Sequence, residues 1–356
     1  MTAGPSADGG APRVVALAGG VGAARFLAGL ARVVDPERIT VVGNTGDDLD
    51  FYGVHVSPDL DIVTYTLAGR VDREKGYGLA GDSFHAVEAL GALGHPTWFQ
   101  LGDRDLATCL HRSLRLREGA GLAAITDEVR RTYRVAVRIL PMSEAACPTY
   151  VLLRGGRRVH FEEYLARDGA PDEVEAVDLA AARAASAAPG VIEAIRAADV
   201  ILVCPSNPVV SIGPIIAVRG VREAIAAARA PVVAVSPIIG GAPVKGPADR
   251  LLRGIGVEVS ARGVADFYRD WVRGYVMDLR DAAQRADVEA LGLAVRVTDT
   301  VMRNADAAAN LASEALQLAS DLTRVGSPPS GGERNHGLGG ERGHELGGER
   351  NHELRG

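Results

Sequence analysis

The fold of this chain is decided by a short apolar run that ends in glycine, Val14-Val15-Ala16-Leu17-Ala18-Gly19-Gly20-Val21-Gly22. Phe26, Leu30 and Val33 follow at helical spacing, so the glycines lie between a strand and a helix. Glycine lets backbone N–H groups approach a bound anion, and a helix N-terminus adds favourable partial charge. We therefore expect this turn to contact a phosphate group. Arg25, in the first helical turn, would contact the same phosphate or pair with a surface carboxylate.

Acidic residues follow the next predicted strand. Asp35-Pro36 ends the helix, and residues 39–42 predict a second strand, which gives a βαβ start. Because hard carboxylate oxygens suit Mg²⁺, the acidic residues of the next two motifs are candidate metal ligands. Turns and helix starts also favour aspartate for structural reasons. The two motifs are Gly43-Asn44-Thr45-Gly46-Asp47-Asp48 and Ser57-Pro58-Asp59-Leu60-Asp61.

Asp59 and Asp61 lie in the first turn of a helix that Ser57 is predicted to precede. Two residues apart on a regular helix, their side chains point roughly 200° apart. They can share a site only if the first turn is irregular, or if one carboxylate caps the helix while the other faces the ligand.

Further polar loops follow later strands. Thr97–Leu101 is predicted to be a strand, and Asp103-Arg104 follows it, which suits either phosphate contact or a helix-capping turn. Apolar runs at 199–203 and 231–235 predict buried strands. The loops after these two strands contain the candidate substrate-binding residues Ser206, Asn207, Ser211 and Lys245.

These loops predict an α/β fold, with a Rossmann-like, mostly parallel sheet. Because the carboxyl ends of parallel strands meet at one edge, the candidate residues should line one ligand site there. Within a core of residues 13–325 we expect an inserted α+β cap lobe at 119–189, containing a hairpin about Gly155-Gly156.

Both ends of the chain read as disordered. Residues 1–12 form a small, polar leader without the apolar segment of a secretory signal. Residues 326–356 contain a repeated octapeptide, GGERNHGL and its variants, with too little apolar surface to offset the entropy of ordering. We expect this tail to be a low-complexity extension.

The bulk composition limits the class of partner. The formal net charge is −6, and no basic block is present, which argues against nucleic acid as a partner. No apolar run reaches membrane-spanning length. The odd number of widely spaced cysteines suggests neither a disulfide framework nor a zinc site, and fits a cytoplasmic protein. The three cysteines are Cys109, Cys147 and Cys204.

The glycine turn fits neither of two common nucleotide motifs. It lacks the Lys-Ser/Thr pair of a nucleoside triphosphate loop, and Arg25 occupies the third glycine position of the dinucleotide fingerprint counted from Gly20. A nicotinamide-dependent dehydrogenase therefore stays open but is disfavoured. No Ser-His-Asp arrangement is recognisable.

Taken together, the loops resemble the 2-phospho-L-lactate transferase family of coenzyme F-420 biosynthesis, whose actinobacterial members are usually called phosphoenolpyruvate transferases. The resemblance runs from Val14 to about Leu322. Besides the motifs above, it rests on Leu101-Gly102-Asp103-Arg104-Asp105, Leu140-Pro141-Met142-Ser143, His160-Phe161, Pro205-Ser206-Asn207-Pro208-Val209-Val210-Ser211-Ile212-Gly213-Pro214 and Ser236-Pro237-Ile238-Ile239-Gly240.

The resemblance implies a homodimeric, Mg²⁺-dependent enzyme that joins the deazaflavin Fo to a guanylylated three-carbon acid and releases GMP. On this basis we expect Asp47 and Asp61 to hold Mg²⁺, and Asp48 or Asp59 to orient or deprotonate the attacking hydroxyl. The residues expected to bind substrate are Gly19, Gly20, Val21, Gly22, Arg25, Asn44, Thr45, Asp103, Arg104, Ser206, Asn207, Ser211 and Lys245.

Two questions stay open at this point. The acid could be lactyl, enolpyruvyl or glyceryl, because a pocket separates such small differences by only a few kcal/mol. A non-catalytic regulator that binds a nucleotide sugar on the same scaffold is the main alternative.

Overall fold

The computed structural model describes residues 11–325. The predicted tail, 326–356, and the predicted leader, 1–12, fall outside this range except for Ala11 and Pro12. The strands are β1 Val14–Ala18, β2 Ile39–Gly43, β3 Leu49–Phe51, β4 Val54–Val56, β5 Arg138–Pro141, β6 Tyr150–Leu153, β7 Arg157–His160, β8 Val174–Asp178, β9 Val200–Val203, β10 Val232–Val235, β11 Ile238–Ile239, β12 Ala242–Pro243, β13 Gly274–Asp278 and β14 Ala294–Thr298.

Helices cover the sheet on both faces, as parallel strands require. Among the helices of the described range, none combines the length and the apolarity needed to cross a bilayer. They are α1 Gly20–Val33, α2 Pro58–Leu67, α3 His85–Ala92, α4 Asp103–Arg117, α5 Leu122–Thr132, α6 Ala180–Ala184, α7 Val191–Ala197, α8 Gly213–Ala217, α9 Val221–Ala227, α10 Ala248–Gly254, α11 Ala261–Tyr268, α12 Arg285–Glu289 and α13 Ala305–Val325.

The central sheet has seven strands in the order β14-β13-β10-β9-β1-β2-β5, and every neighbouring pair is parallel. The predicted α/β class with a Rossmann-like, mostly parallel sheet is therefore confirmed. The chain builds outward from β1 through β2 to β5, then returns to add β9 on the other side. Strand order reverses between the neighbouring strands β1 and β9. Open α/β sheets bind ligands at such a reversal point.

Apolar side chains pack against both faces of this sheet. On one face α1 packs closely on α13, because Gly29 has no side chain; a Cβ there would lie 2.4 Å from the carbonyl oxygen of Ala308. The other face carries a second apolar cluster to which the lobe strands β6–β8 contribute. The side chains of Phe26, Leu27 and Leu30 are buried and hold α1 against the sheet. Because the glycine turn leads directly into α1, its position is fixed as well.

The inserted lobe is smaller than predicted. Strand β5 pairs in parallel with β2 and is the edge of the main sheet, so the boundary at residue 119 is too early. The separate sheet has only three antiparallel strands, β7-β6-β8, and the predicted hairpin about Gly155-Gly156 is confirmed within it. Sequence periodicity could not place β5, because its apolar residues do not reveal which strand they pair with.

Two further strand predictions need correction. Thr97–Leu101 is not a strand, because Trp98 and Phe99 pack on the Phe51 ring at centroid distances of 4.9 and 5.5 Å in a small side cluster. Conversely, β13 was not predicted. Its Gly274 and Asp278 ends are poor strand formers, although all five residues are buried.

Candidate functional site

The glycine turn, the second-strand loop and the start of α2 are joined by hydrogen bonds at the carboxyl edge of the sheet. The amide of Gly20 donates to Oδ1 of Asp59 at 2.7 Å, and Nδ2 of Asn44 donates to Oδ2 of the same carboxylate at 2.8 Å. The amide of Gly19 donates to Oγ of Ser206, beyond β9, at 3.3 Å. Loops after three strands thus meet at the reversal point, as the sequence predicted.

Close approach explains why glycine stands at position 19. A Cβ there would lie 2.6 Å from Oδ2 of Asp59 and 2.8 Å from Cβ of Ser211. Gly20 has φ +75°, a backbone conformation that disfavours other residues. Gly19 and Gly20 can approach the surrounding loops this closely only because neither residue has a side chain.

Asn44 is the buried hub of the site. Besides Asp59, its Nδ2 donates to the carbonyl oxygen of Val210 at 3.3 Å, and its Oδ1 accepts from the amide of Gly46 at 2.8 Å. Asn44 and Thr45 are at most 2% exposed. Asn44 therefore fixes the loop that presents Asp47 and Asp48.

Four carboxyl groups gather behind this loop, three of them predicted and one not. Burial, with the nearby charges of Asp59 and Glu162, raises the pKa of Asp47 well above its ordinary range. Burial likewise raises the pKa of Asp59 to about 6 and that of Glu162 to about 8, and it raises the pKa of Asp48. Four buried acidic groups in one cluster destabilise the folded protein unless protons or a cation balance their charge.

Glu162 is the member that the sequence analysis missed. It lies two residues after the end of β7, its amide donates to Nδ1 of His160 at 3.2 Å, and it is 7% exposed. His160-Phe161 was recognised as part of the family pattern, but the acidic residue after it was not. Two acids between the aromatic residues Phe161 and Tyr164, Glu162 and Glu163, were the available signal.

Asp48 is oriented by two neighbours. Its Oδ2 accepts from Oγ of Ser57 at 2.8 Å and lies 3.1 Å from Nε2 of His55. Ser57 lies at the predicted start of α2, but its hydroxyl binds Asp48 instead of capping the helix. Asp48 therefore has one carboxylate oxygen held in place, while the other, Oδ1, has no hydrogen-bond partner among residues 11–325.

The residues of this loop fit a divalent cation. Several buried oxygens have no hydrogen-bond partner in the described range, and all are hard donors of the kind that Mg²⁺ prefers. They are Oδ1 of Asp47, Oδ1 of Asp48, Oγ1 of Thr45 and Oγ1 of Thr149.

The side chain of Asp61 points away from that of Asp59, as expected for residues two positions apart on a helix. Its Oδ1 forms a buried ion pair with Arg112 of α4, while its Oδ2 has no partner. Ligand atoms of Asp61, Asp105 and Cys109 lie within 4.8 Å of one another, and burial and the charge of Asp61 raise the pKa of Asp105 to about 7. Arg112 already balances the charge of Asp61, which makes this cluster primarily an ion-pair network.

Asp103 and Arg104 are not brought to the carboxyl edge. Asp103 accepts from the amides of His85 and Ala86 at the start of α3, at 3.2 and 3.0 Å. Asp82 accepts in turn from the amides of Arg104 and Asp105 at the start of α4, at 3.0 and 3.1 Å. Asp103, the first residue of α4, thus caps α3, and Asp82, which precedes α3, caps α4.

Two cations meet at the entrance to the glycine turn. A Cβ on Gly76 would lie 3.3 Å from Nζ of Lys245 and 4.0 Å from Nη2 of Arg25, and Val21 lies beside them. Both cations are exposed. This positive group stands next to the amides of Val21 and Gly22, where an anion would bind.

Ser206, Asn207 and Ser211 lie in the loop after β9. Oδ1 of Asn207 accepts from the amides of Val209 and Val210 at 3.0 and 3.4 Å, so this oxygen caps the helical turn Pro208–Ile212. The side-chain amino group of Asn207 is left for another partner. Ser206 and Ser211 are both buried against the glycine turn.

Comparison with known proteins identifies the family. The family description "2-phospho-L-lactate transferase CofD" matches residues 14–308. A phosphoenolpyruvate transferase from Kitasatospora aureofaciens is 48% identical, covering 87% of this chain and 98% of the relative. A 2-phospho-L-lactate transferase from Methanosarcina mazei is 39% identical, covering 85% and 99%.

A solved structure supports the fold alone. A UPF0052 family member from Bacillus halodurans has a TM-score of 0.57 at 19% identity, covering 84% of this chain and 98% of that one. Together with the family match over most of the described residues, these likenesses show that the chain belongs to the CofD family of 2-phospho-L-lactate and phosphoenolpyruvate transferases.

Proposed function

We propose that this enzyme transfers a phosphorylated three-carbon acid from a guanosine diphosphate-linked donor to the 5′-hydroxyl of the deazaflavin Fo and releases GMP. The observation that carries the proposal is the direct link between the anion-binding turn and the acidic cluster, through Gly20, Asn44 and Asp59. Phosphoryl-type transfer needs both, because it depends on positioning and on charge stabilisation at phosphorus.

The donor diphosphate would lie over the glycine turn. Gly20 already donates its amide to Asp59, so the amides of Val21 and Gly22 are the ones left for phosphate oxygens. Arg25 and Lys245 would add positive charge at the entrance, and Ser206, Asn207 and Ser211 would bind the nucleotide beyond β9. These contacts would hold the phosphorus that bears the three-carbon acid next to the acidic cluster.

In the transfer, the primary hydroxyl of Fo attacks that phosphorus. The new oxygen–phosphorus bond replaces the bond to the GMP phosphate, and the hydroxyl proton leaves. Asp48 suits the acceptance of this proton better than Asp59. Oδ1 of Asp48 has no partner, whereas both oxygens of Asp59 are hydrogen-bonded.

Mg²⁺ suits the oxygen donors at this edge, and Asp47 is the residue that would hold it. Asp61, whose Oδ1 is paired with Arg112, would contribute its Oδ2 through water. When bound, the cation would neutralise charge on the diphosphate. Asn44 and Thr45 fix the loop from which Asp47 projects.

The enolpyruvyl group is the better candidate for the transferred acid. Relatives named phosphoenolpyruvate transferase are 48% identical in Kitasatospora aureofaciens and 38% identical in Mycolicibacterium smegmatis, and the Methanosarcina mazei 2-phospho-L-lactate transferase, at 39%, falls within this range. The proposal therefore rests on the name that the more similar relatives share, and the product test decides it. A homodimer and a cytoplasmic location stay predictions.

The test is mass spectrometry of the product. Fo is incubated with Mg²⁺ and, separately, with the enolpyruvyl, lactyl and glyceryl diphosphoguanosine donors. We expect a product carrying the enolpyruvyl phosphate, formed in equal amount with GMP. Absence of product with every donor, together with binding of a nucleotide sugar, would replace the enzyme with the regulatory alternative.

A further inference from the structure

A second cleft, of about 490 Å³, lies between the end of α2, the start of α4 and the end of α5. Three arginines line it, Arg70, Arg104 and Arg134, and no carboxylate does. Among the described residues, the carboxylate paired with these arginines is Asp82, which contacts Arg104. The remaining lining residues are Gly69, Leu79, Ala80, Thr132 and Tyr133.

Two of these arginines are left free for a ligand. Within residues 11–325, the guanidinium groups of Arg70 and Arg134 make no hydrogen bond and no ion pair, and both residues are exposed. Arg104 is held by the carbonyl oxygen of Ala80 at 2.6 Å and by Asp82 at 3.4 Å, so its guanidinium group is fixed at the cleft. One oriented and two free guanidinium groups around a cavity form a receptor for phosphate oxygens.

The backbone conformation of Arg134 also places this residue at the cleft. Arg134 has φ +57°, a left-handed conformation that is uncommon for a residue with a long side chain. Its amide and that of Val135 bond back to α5, which ends the helix at this point. The conformation holds Arg134 at the cleft between α5 and β5.

The cleft is separate from the site at the glycine turn. Arg134 precedes β5, so it lies toward the amino end of the parallel sheet, opposite the loops of Gly20 and Asp47. Arg70 follows the carboxyl end of α2, which begins at the glycine turn and is ten residues long, or roughly 15 Å. Helix α4 runs back along α2, with Arg112 at Asp61 and Arg104 two turns away.

We propose that this cleft is a second anion-binding site, which takes a small molecule carrying two or more phosphate groups. The proposal stands on the lining residues and their position, and does not rest on the transfer reaction. Free polyphosphate and a nucleoside polyphosphate share the chemistry that the arginines recognise, and the experiment separates them.

The test is calorimetric titration of the full chain, in EDTA, with inorganic tripolyphosphate and with ATP. Tripolyphosphate should bind, and Arg70→Gln and Arg134→Gln should each weaken its binding about tenfold, since a charge-assisted hydrogen bond is worth about 1.5–3 kcal/mol. Tighter binding of ATP would identify a nucleotide as the ligand, and equal binding would identify the phosphate chain alone. Citrate should bind more weakly than either.

Two control variants make the result decisive. Arg229→Gln changes an exposed arginine that has no partner within the described part of the chain, so it should leave the affinity unchanged. Gly19→Ala, which blocks the glycine turn, should retain the tripolyphosphate binding that Arg70→Gln weakens. The proposal is overturned if wild type shows no binding, if Arg229→Gln weakens it as much as Arg70→Gln does, or if Gly19→Ala abolishes it.

Discussion

The amide of Gly20 donates a 2.7 Å hydrogen bond to Oδ1 of Asp59. This bond joins the turn after β1 to the first turn of α2, two segments that lie 39 residues apart. Its consequence is that the glycine turn and the acidic cluster cannot move independently. Asn44, which holds the other oxygen of Asp59, extends the same constraint to the loop of Asp47.

Gly19→Ala should abolish nucleotide binding. The added Cβ would meet Asp59 at 2.6 Å and Ser211 at 2.8 Å, so the turn must shift away from both. We expect GMP affinity to fall more than tenfold, measured by calorimetry. Gly91→Ala, inside α3, is the control, because alanine favours a helix and the added Cβ would meet only the methyl group of Thr97, at 3.0 Å. Normal GMP affinity in Gly19→Ala would show that the turn does not need this close contact.

Arg112→Gln should be severely destabilising. The substitution leaves the buried carboxylate of Asp61 without its partner, which costs about 3–5 kcal/mol. Denaturant unfolding should show this loss, and the double variant Asp61→Asn with Arg112→Gln should recover part of it. Arg115→Gln removes two partly exposed ion pairs on the same helix, with Glu118 and Glu128, and should cost about 1 kcal/mol. Equal effects of Arg112→Gln and Arg115→Gln would contradict the buried ion pair.

Asp103→Ala should lower stability and leave catalysis intact. Loss of the cap on α3 costs about 1 kcal/mol, and Asp103→Asn, which can still accept the amide bonds, should cost less. Asp82→Ala should behave in the same way through α4. Steady-state kinetics should give unchanged KM values for both substrates. A raised KM in Asp103→Ala, with normal stability, would instead support the phosphate contact predicted from sequence.

Glu162→Gln should stabilise the metal-free protein at neutral pH. The pKa of Glu162 is raised by burial from 4.5 to about 8, so between these values the unfolded chain ionises while the folded chain stays protonated. Stability from this group is therefore complete below pH 4.5 and is lost as the pH rises toward 8. The amide cannot ionise and avoids the loss.

The measurement is chemical unfolding in EDTA at pH 5 and pH 7.5. We expect Glu162→Gln to exceed wild type by about 2 kcal/mol at pH 7.5 and by less at pH 5. Glu223→Gln changes an exposed acid and should match wild type at both. A pH-independent difference between Glu162→Gln and wild type would contradict the role of ionisation.

Local sequence determined which loops would meet, because parallel strands present their carboxyl ends at one edge. The runs at Val14–Ala18, 199–203 and 231–235 needed only apolarity and length to be recognised, and their loops lie where the prediction put them. The strand at Thr97–Leu101 failed for the opposite reason. Aromatic residues favour strands, but Trp98 and Phe99 pack against the ring of Phe51. Among the described residues, no strand pairs with their segment.

Long-range partners were beyond the sequence. Nothing near Asp103 announces that its carboxylate receives the amides of His85 and Ala86, and nothing near Asp61 announces Arg112, 51 residues later. Glu162 was missed because its neighbours in the acidic cluster are more than 100 positions away. Hydrogen bonds within a motif, such as Asn44 to Gly46, are the kind that sequence can predict.

The central claim is that the glycine turn and a divalent-cation site share one edge of the sheet. The most direct test is NMR of the full chain with ¹⁵N-labelled glycine, titrated with Mn²⁺ in place of Mg²⁺ and, separately, with GMP. We predict that Mn²⁺ broadens the Gly20, Gly22 and Gly46 signals, that GMP shifts those of Gly20 and Gly22, and that Asp47→Asn loses the broadening. Gly292, before β14 at the opposite edge, should not respond. Broadening that spares Gly20 and Gly22, or that persists in Asp47→Asn, would contradict the account.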